Sequence, residues 1–281
     1  MTHTLFEITH RVVSELGEVF QGVATGGTTT TLIDTDGLTD FPDDAFNTNG
    51  KGTLWLLHDA GGVGAAPEGE WGRVSDFVQS TSTATMEALT VAPAASDIYA
   101  IASPRYRLQN VIAKVNIALT KMGKIKLEDI SLSVSGSLTE YTLPLARMNV
   151  TEVEIAGQET VDDYEWRTIL DWDIQKTAKG TADELIFKVA QTDGATIRLT
   201  YYQEHPRIYA ATDTLDDQIS IEAVVAHTKL ELLKERIYSD KGQELDRNLS
   251  QQLEFAQAEA DKYGMAVIQL PRIRPAHHLK G

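Results

Sequence analysis

The chain has no cysteine among its 281 residues. That absence removes disulfides, thiolate–metal sites and cysteine nucleophiles together, and makes folding indifferent to redox compartment. Nowhere do 18 apolar residues run consecutively, so no segment reads as a membrane span. The start, MTHTLFEITHRVVSELGEVF, has no cationic region followed by an apolar core, because Glu7, His10, Arg11 and Glu15 interrupt it. A soluble chain without an export signal is therefore expected. Cations are scarce as well: 25 Lys and Arg face 41 Asp and Glu, a formal net charge of −16. Such a balance repels nucleic-acid phosphates at long range. At this length one large core or two to three smaller ones can form without a metal or disulfide staple.

What is present alternates in texture. In Thr4–Phe20, Leu5, Ile8, Val12, Leu16 and Val19/Phe20 recur at helical steps, with Thr4 and Glu7 spaced as a capping box. Gly22, Gly26 and Gly27 break that pattern, and short strands are expected at Thr28–Asp34, Thr53–Leu57, Arg73–Gln79, Thr81–Met86 and Ile98–Ala102, separated by turn residues. Pro104 ends this first β lobe, residues 22–103. Tyr106–Met122 is again helical in period, with Gly123 placed as its C′ residue. A second β lobe follows over 128–205, and two further helices are expected before and after the break at Ser239–Gly242, ending near Tyr263. The expected fold class is α+β: a four-helix bundle (4–21, 104–124 and 213–264) carrying two inserted antiparallel β lobes of small sandwich or barrel type. An extended C-terminal arm, 265–281, completes it.

The chemical candidates are weak. DTDG at Asp34–Gly37 resembles the start of a calcium loop, but Leu38 and Ala45 occupy positions that need oxygen ligands, so solvated turn residues are expected across Asp34, Asp36, Asp40, Asp43 and Asp44. Gly61-Gly62-Val63-Gly64 lacks the Lys-Ser/Thr of a phosphate loop and reads as a hairpin connection. The seven histidines have no metal spacing, and no G-x-S-x-G elbow occurs. Trp166, Trp172, Tyr201 and Tyr202 could form a carbohydrate platform, although strand aromatics more often fill cores and cross-strand pairs. The expectation is a non-enzymatic protein with no catalytic residue, no metal site and no cofactor.

Four segments in the second half carry a resemblance: TEYTLPLARMNVTEVEIAG (139–157), EWRTILDWDIQ (165–175), ATIRLTYYQEHPRI (195–208) and DTLDDQISIEAVVAHTKLELL (213–233). Their order resembles the head-to-tail adaptor, or connector, proteins of the neck of tailed bacteriophages. The first lobe, with TTTTLID, DDAFN and APAASD, is similar to β modules of phage virion proteins. The resemblance implies a structural virion protein forming a homo-oligomeric ring, generally of twelve copies, assembled in the host cytoplasm. The ring would bind the portal protein above and a tail or stopper protein below, with DNA passing through its channel and no membrane involved. It would act in viral genome ejection. The acid-free arm suits the portal contact through Val267, Ile268, Leu270, Arg272, Ile273, Arg274 and Leu279. A phage tail, fibre-attachment or baseplate protein, or a glycan- or receptor-binding β module, is the alternative.

Overall fold

The structure, a computed structural model, describes residues 2–62, 64–144, 148–156, 166–176, 182–239 and 247–263. The chain divides into two compact units, the first drawn from Met1–Met122 with Pro206–Ala266, the second from Gly123–His205.

The first unit opens with α1 (Leu5–Glu15), started by the expected capping box: the Glu7 amide donates to Thr4 Oγ1 at 3.3 Å, and the Thr4 amide to Glu7 Oε2 at 3.1 Å. The helix stops earlier than its apolar spacing suggests. Gly17 adopts φ +74° and donates to the Ser14 carbonyl, while the Glu18 amide reaches back to Val13, the paired bonds of a Schellman ending. Val19 and Phe20, which continue the helical spacing, are thereby released into a strand.

That strand is β1 (Val19–Val23), followed by β2 (Gly26–Thr28), β3 (Thr31–Ile33), β4 (Gly52–His58), β5 (Trp71–Val78), β6 (Thr83–Met86) and β7 (Ile98–Ala102). They make one antiparallel sheet in the order β1-β7-β4-β5-β6-β3-β2. Its two edge strands are joined by only Ala24 and Thr25. Seven strands laid flat would set the edges about 29 Å apart at about 4.8 Å per step, whereas the link from Val23 to Gly26 spans at most about 11 Å. The sheet must therefore roll. The roll is tied where its edges meet: the Ala24 amide donates to the Asp97 carbonyl at 2.8 Å and the Thr25 amide to Ile33 at 2.7 Å.

Strand alternation gives the rolled sheet two apolar faces. Leu54, Leu56, Tyr99 and Ile101 join Leu32, Leu38, Val74 and Phe77 in one core, across which Phe20, Phe41, Phe46 and Phe77 meet in succession, edge-to-face or tilted, with ring centroids 5.0–5.1 Å apart. Trp55, Ala100 and Ala102 face the other way and join α1, α2 (Leu108–Lys121) and α3 (Ile221–Ser239) in a second core. The two alanines leave room for helices to approach the strands. The buried Trp55 indole donates to Thr9 Oγ1 of α1 at 3.2 Å, which satisfies its one polar atom.

Helix α4 (Arg247–Tyr263) packs on α3 through Leu249, Leu253, Ala256 and Ala260, a stripe at helical spacing. α3 is the centre of this layer. Ile221, Val224, Val225 and Leu232 belong to the core shared with the sheet, and Ala226, Leu230 and Leu233 to the contact with α4. Its apolar residues consequently lie on several faces.

Among the described residues the regular structure of the second unit is strand: β8 (Lys124–Ser133), β9 (Glu140–Thr142), β10 (Val150–Ala156), β11 (Arg167–Thr168), β12 (Trp172–Gln175), β13 (Glu184–Phe187) and β14 (Thr196–Glu204). A four-stranded sheet β11-β10-β14-β8 and a three-stranded sheet β12-β13-β9 share one core. Val153, Ile155, Ile197 and Leu199 come from the first sheet, and Tyr141, Leu185 and Phe187 from the second.

The expected four-helix bundle with β inserts is overturned. Three antiparallel sheets of 14 strands make up most of the regular structure, and only four α-helices and two single turns of 3-10 helix accompany them among the described residues. The helices do touch one another, but α1, α2 and α3 close their core on Trp55, Ala100 and Ala102 of the sheet. Helical periodicity reported amphipathic faces correctly without saying that the surface they cover is a sheet.

Candidate functional site

The arm residues Val267, Ile268, Leu270, Arg272, Ile273, Arg274 and Leu279 lie outside the described residues. Within them, two places concentrate polar chemistry.

The first is the seam of the rolled sheet. Among the described residues β1 pairs with β7 and with no other strand, and it contributes to the lining of an open groove of about 630 Å³. The groove is lined by Phe20–Thr25, by Asp34, Asp36 and Gly37, and by Ala95 and Ser96. Asp34, the first residue of DTDG, is not solvated as the sequence suggested; it is only 1% exposed. Its Oδ1 accepts the amides of Asp36 (3.1 Å) and Gly37 (2.8 Å), and its Oδ2 accepts the Tyr99 hydroxyl at 2.7 Å. Burial, reinforced by this carboxylate, pushes the Tyr99 hydroxyl far above its ordinary pKa. The tyrosine is therefore a fixed donor. Glycine is required at position 22: a Cβ there would stand 2.7 Å from both Asp34 Oδ2 and Tyr99 Oη.

Other carboxylates serve the backbone in the same way. Asp97, fully buried, accepts the amides of Ala60 (2.9 Å) and Ala94 (2.7 Å). Asp59 Oδ1 accepts Gly61 at 2.5 Å, and Glu68 accepts the Asp59 amide while pairing with His58. The glycine-rich stretch thus belongs to an acid-braced hairpin between β4 and β5. Asp213 accepts the amides of Tyr209 and Ala210, and those two bonds hold its carboxyl below the usual range.

The second place is the helical layer, where charged residues tie the helices together. Lys229 of α3, mostly buried, donates to Glu15 beside the end of α1 at 2.7 Å and to Glu259 of α4 at 2.6 Å. Burial opposes the charge on Lys229, but the two carboxylates outweigh it and raise its pKa. Burial likewise pushes Glu15 up, and its bonds from Lys229 and Arg11 more than reverse that. Lys121 and Lys114 of α2 pair with Glu231 and Glu235 of α3, each at 2.7 Å. His227 of α3 has a buried Nε2 with no hydrogen-bond partner among the described residues, and burial depresses its pKa. Sequence reasoning missed Lys229; a lysine among apolar residues of a helix was the available signal.

The four aromatics weighed as a platform do not share a surface. Tyr201 is in the core of the second unit and its neighbour Tyr202 points to the other side of β14. Trp166 lies under the Arg198 guanidinium, 4.3 Å from the ring centroid, and Trp172 packs from the three-stranded sheet. Among the described residues no group of three or more His, Asp or Glu is placed to hold a metal ion, and no helix is long and apolar enough to cross a membrane. No protein-family model matches the chain, and no curated protein is significantly similar to it.

Proposed function

We propose that this chain is a structural, non-catalytic virion protein: a head-to-tail adaptor that forms a ring beneath the portal of a tailed phage and links capsid to tail around the DNA channel. The observation that carries the reading is the ordered run of four adaptor-like segments between Thr139 and Leu233. In the folded chain those segments supply β9, β10, β11, β12, β14 and most of α3. Arg198, Leu199 and Tyr201, from the R-L-x-Y part of the third segment, respectively pair with Glu154 and enter the core. They are residues that fix a framework, as the motifs of an assembly part must.

Two further observations support it. The net charge of −16 suits a channel wall past which DNA slides, because each phosphate neutralised by a cation would add binding free energy and friction. Exposed apolar side chains occur on different helices, Ile117 on α2 (39% exposed) and Phe255 on α4 (67% exposed), and unlike surfaces of this kind can meet in a head-to-tail contact that closes into a ring. The partners in this reading are further copies of the chain, the portal protein through the arm, and a tail or stopper protein.

Deleting residues 265–281 tests the portal contact. The truncated protein is expected to keep its melting behaviour and lose co-purification with the portal. Normal binding by the truncated protein would move the attachment surface into the described units.

A further inference from the structure

We infer that the seam beside β1 is a docking site for an extended strand, and that its occupant is a stretch of the 265–281 arm of a second copy. This inference rests on the ring reading and deepens it by naming one lateral contact. An edge strand presents alternate backbone N–H and C=O groups outward with no ladder partner, and such an edge is a template for strand addition. Among the described residues β1 has no ladder partner on this edge over Val19–Val23, and Phe20–Val23 help line the groove of about 630 Å³. The residues lining the groove combine an apolar rim with acid. Val23 is 53% exposed, Phe20 is half-buried, and Asp36 is exposed with no cation paired to it among the described residues.

The arm has the matching chemistry. It contains no acid, carries Arg272, Arg274 and Lys280, and offers Val267, Ile268, Leu270 and Ile273. Pro271 and Pro275 lower the ordering entropy lost when it docks in an extended form. Covering β1 takes about five residues, roughly 17 Å of strand, whereas a segment of the arm's length can span at most nearly 60 Å at about 3.4 Å per residue. The remainder can still reach the portal. Because edge and arm are different surfaces, each copy gives an arm and receives one, the heterologous pattern that closes a ring.

Hydrogen exchange tests this on the full chain and on a 1–264 truncation, each measured over a range of concentrations. In the concentrated full-length protein the β1 amides should exchange at least about tenfold more slowly than in the truncation. β4 amides should be alike in both. A synthetic peptide of residues 265–281 added to the truncation should restore the protection. Equal exchange at β1 in both proteins would overturn the proposal, and so would protection that persists undiminished at dilutions where only monomer is present, since the arm would then be the chain's own. If the truncation does not fold, full-length Asp36→Lys carries the test: faster exchange at β1 alone is expected, and unchanged exchange overturns the site. Particle images of the same samples separate the two readings. A ring with unprotected β1 defeats the strand addition only, whereas peptide protection without any ring defeats the adaptor reading only.

Discussion

Tyr99 and Asp34, 65 residues apart, are joined by a 2.7 Å hydrogen bond that pins the turn after β3 to the strand paired with β1. The carboxylate also holds two backbone amides, so one buried acid fixes the tip of the DTDG turn and the wall of the seam together. Tyr99→Phe removes the donor and leaves a buried charged acceptor short of one partner, which should cost about 1–3 kcal/mol. Urea unfolding at neutral pH checks this. Asp34→Ala strands two amides and a hydroxyl at once and should cost more; if it costs less than Tyr99→Phe, the buried charge is a burden on the fold.

Gly17 and Gly22 should fail in different ways. Position 17 has open space around it but φ +74°, so Gly17→Ala is strained by conformation alone, by about 1 kcal/mol, and Gly17→Asn should recover part of the loss because Asn tolerates that region. Position 22 is crowded by Asp34 and Tyr99, so neither Ala nor Asn should be accommodated without displacing that pair. Denaturant midpoints for the four variants decide it, and a rescue by Asn at position 22 would contradict the crowding.

The Lys229 clamp sets a pH window. The folded-state pKa of Glu15 is lowered from 4.5, so its contribution is complete above that value and is lost as pH falls through the lower, folded one. The Lys229 pKa is raised from 10.5, so its contribution is complete below that value and fades as pH rises through the higher, folded one. Lys229→Met keeps most of the packing and removes the charge. It should flatten both limbs of the stability curve of the first unit, followed by helix ellipticity. Limbs that persist unchanged would mean that the three charges are not coupled.

Most strands of the first β block were legible because Gly, Asp and Asn punctuate short β-branched runs, but Thr28–Asp34, expected as one strand, spans the turn of the β2–β3 hairpin, and β12 was not expected. β1 was not legible, since Val19 and Phe20 continue the spacing of α1 and only the conformation of Gly17 ends the helix. The rolled sheet beneath the helices was equally hidden: small residues such as Ala100 and Ala102 carry no periodic signal, yet they are what lets helices lie on the strands. Asp34 was visible as part of a turn. Its burial was not, because the hydroxyl that accompanies it comes from a strand 65 residues away.

His227 should make the helical layer sensitive to mild acid. Burial lowers its pKa from 6.5; Lys121 from α2 and Lys234 also lower it, while Asp261 from α4 and Glu231 raise it. A depressed histidine binds its proton more readily when unfolded, so stability is full above about pH 6.5 and declines as pH falls through and below it. His10, also lowered by burial, adds to the same slope. Replacing His227 with Leu should reduce the slope between pH 7 and 5 without abolishing it; an unaltered slope would assign the whole effect to other groups.

The most direct test of the adaptor reading is the rotational symmetry of the assembled protein, seen by electron microscopy of purified particles or of the virion neck. The account predicts a closed annulus, generally twelve-fold, in which unlike surfaces of neighbouring copies meet. A two-fold dimer pairing like surfaces, or a three-fold assembly at a fibre or baseplate, would contradict it.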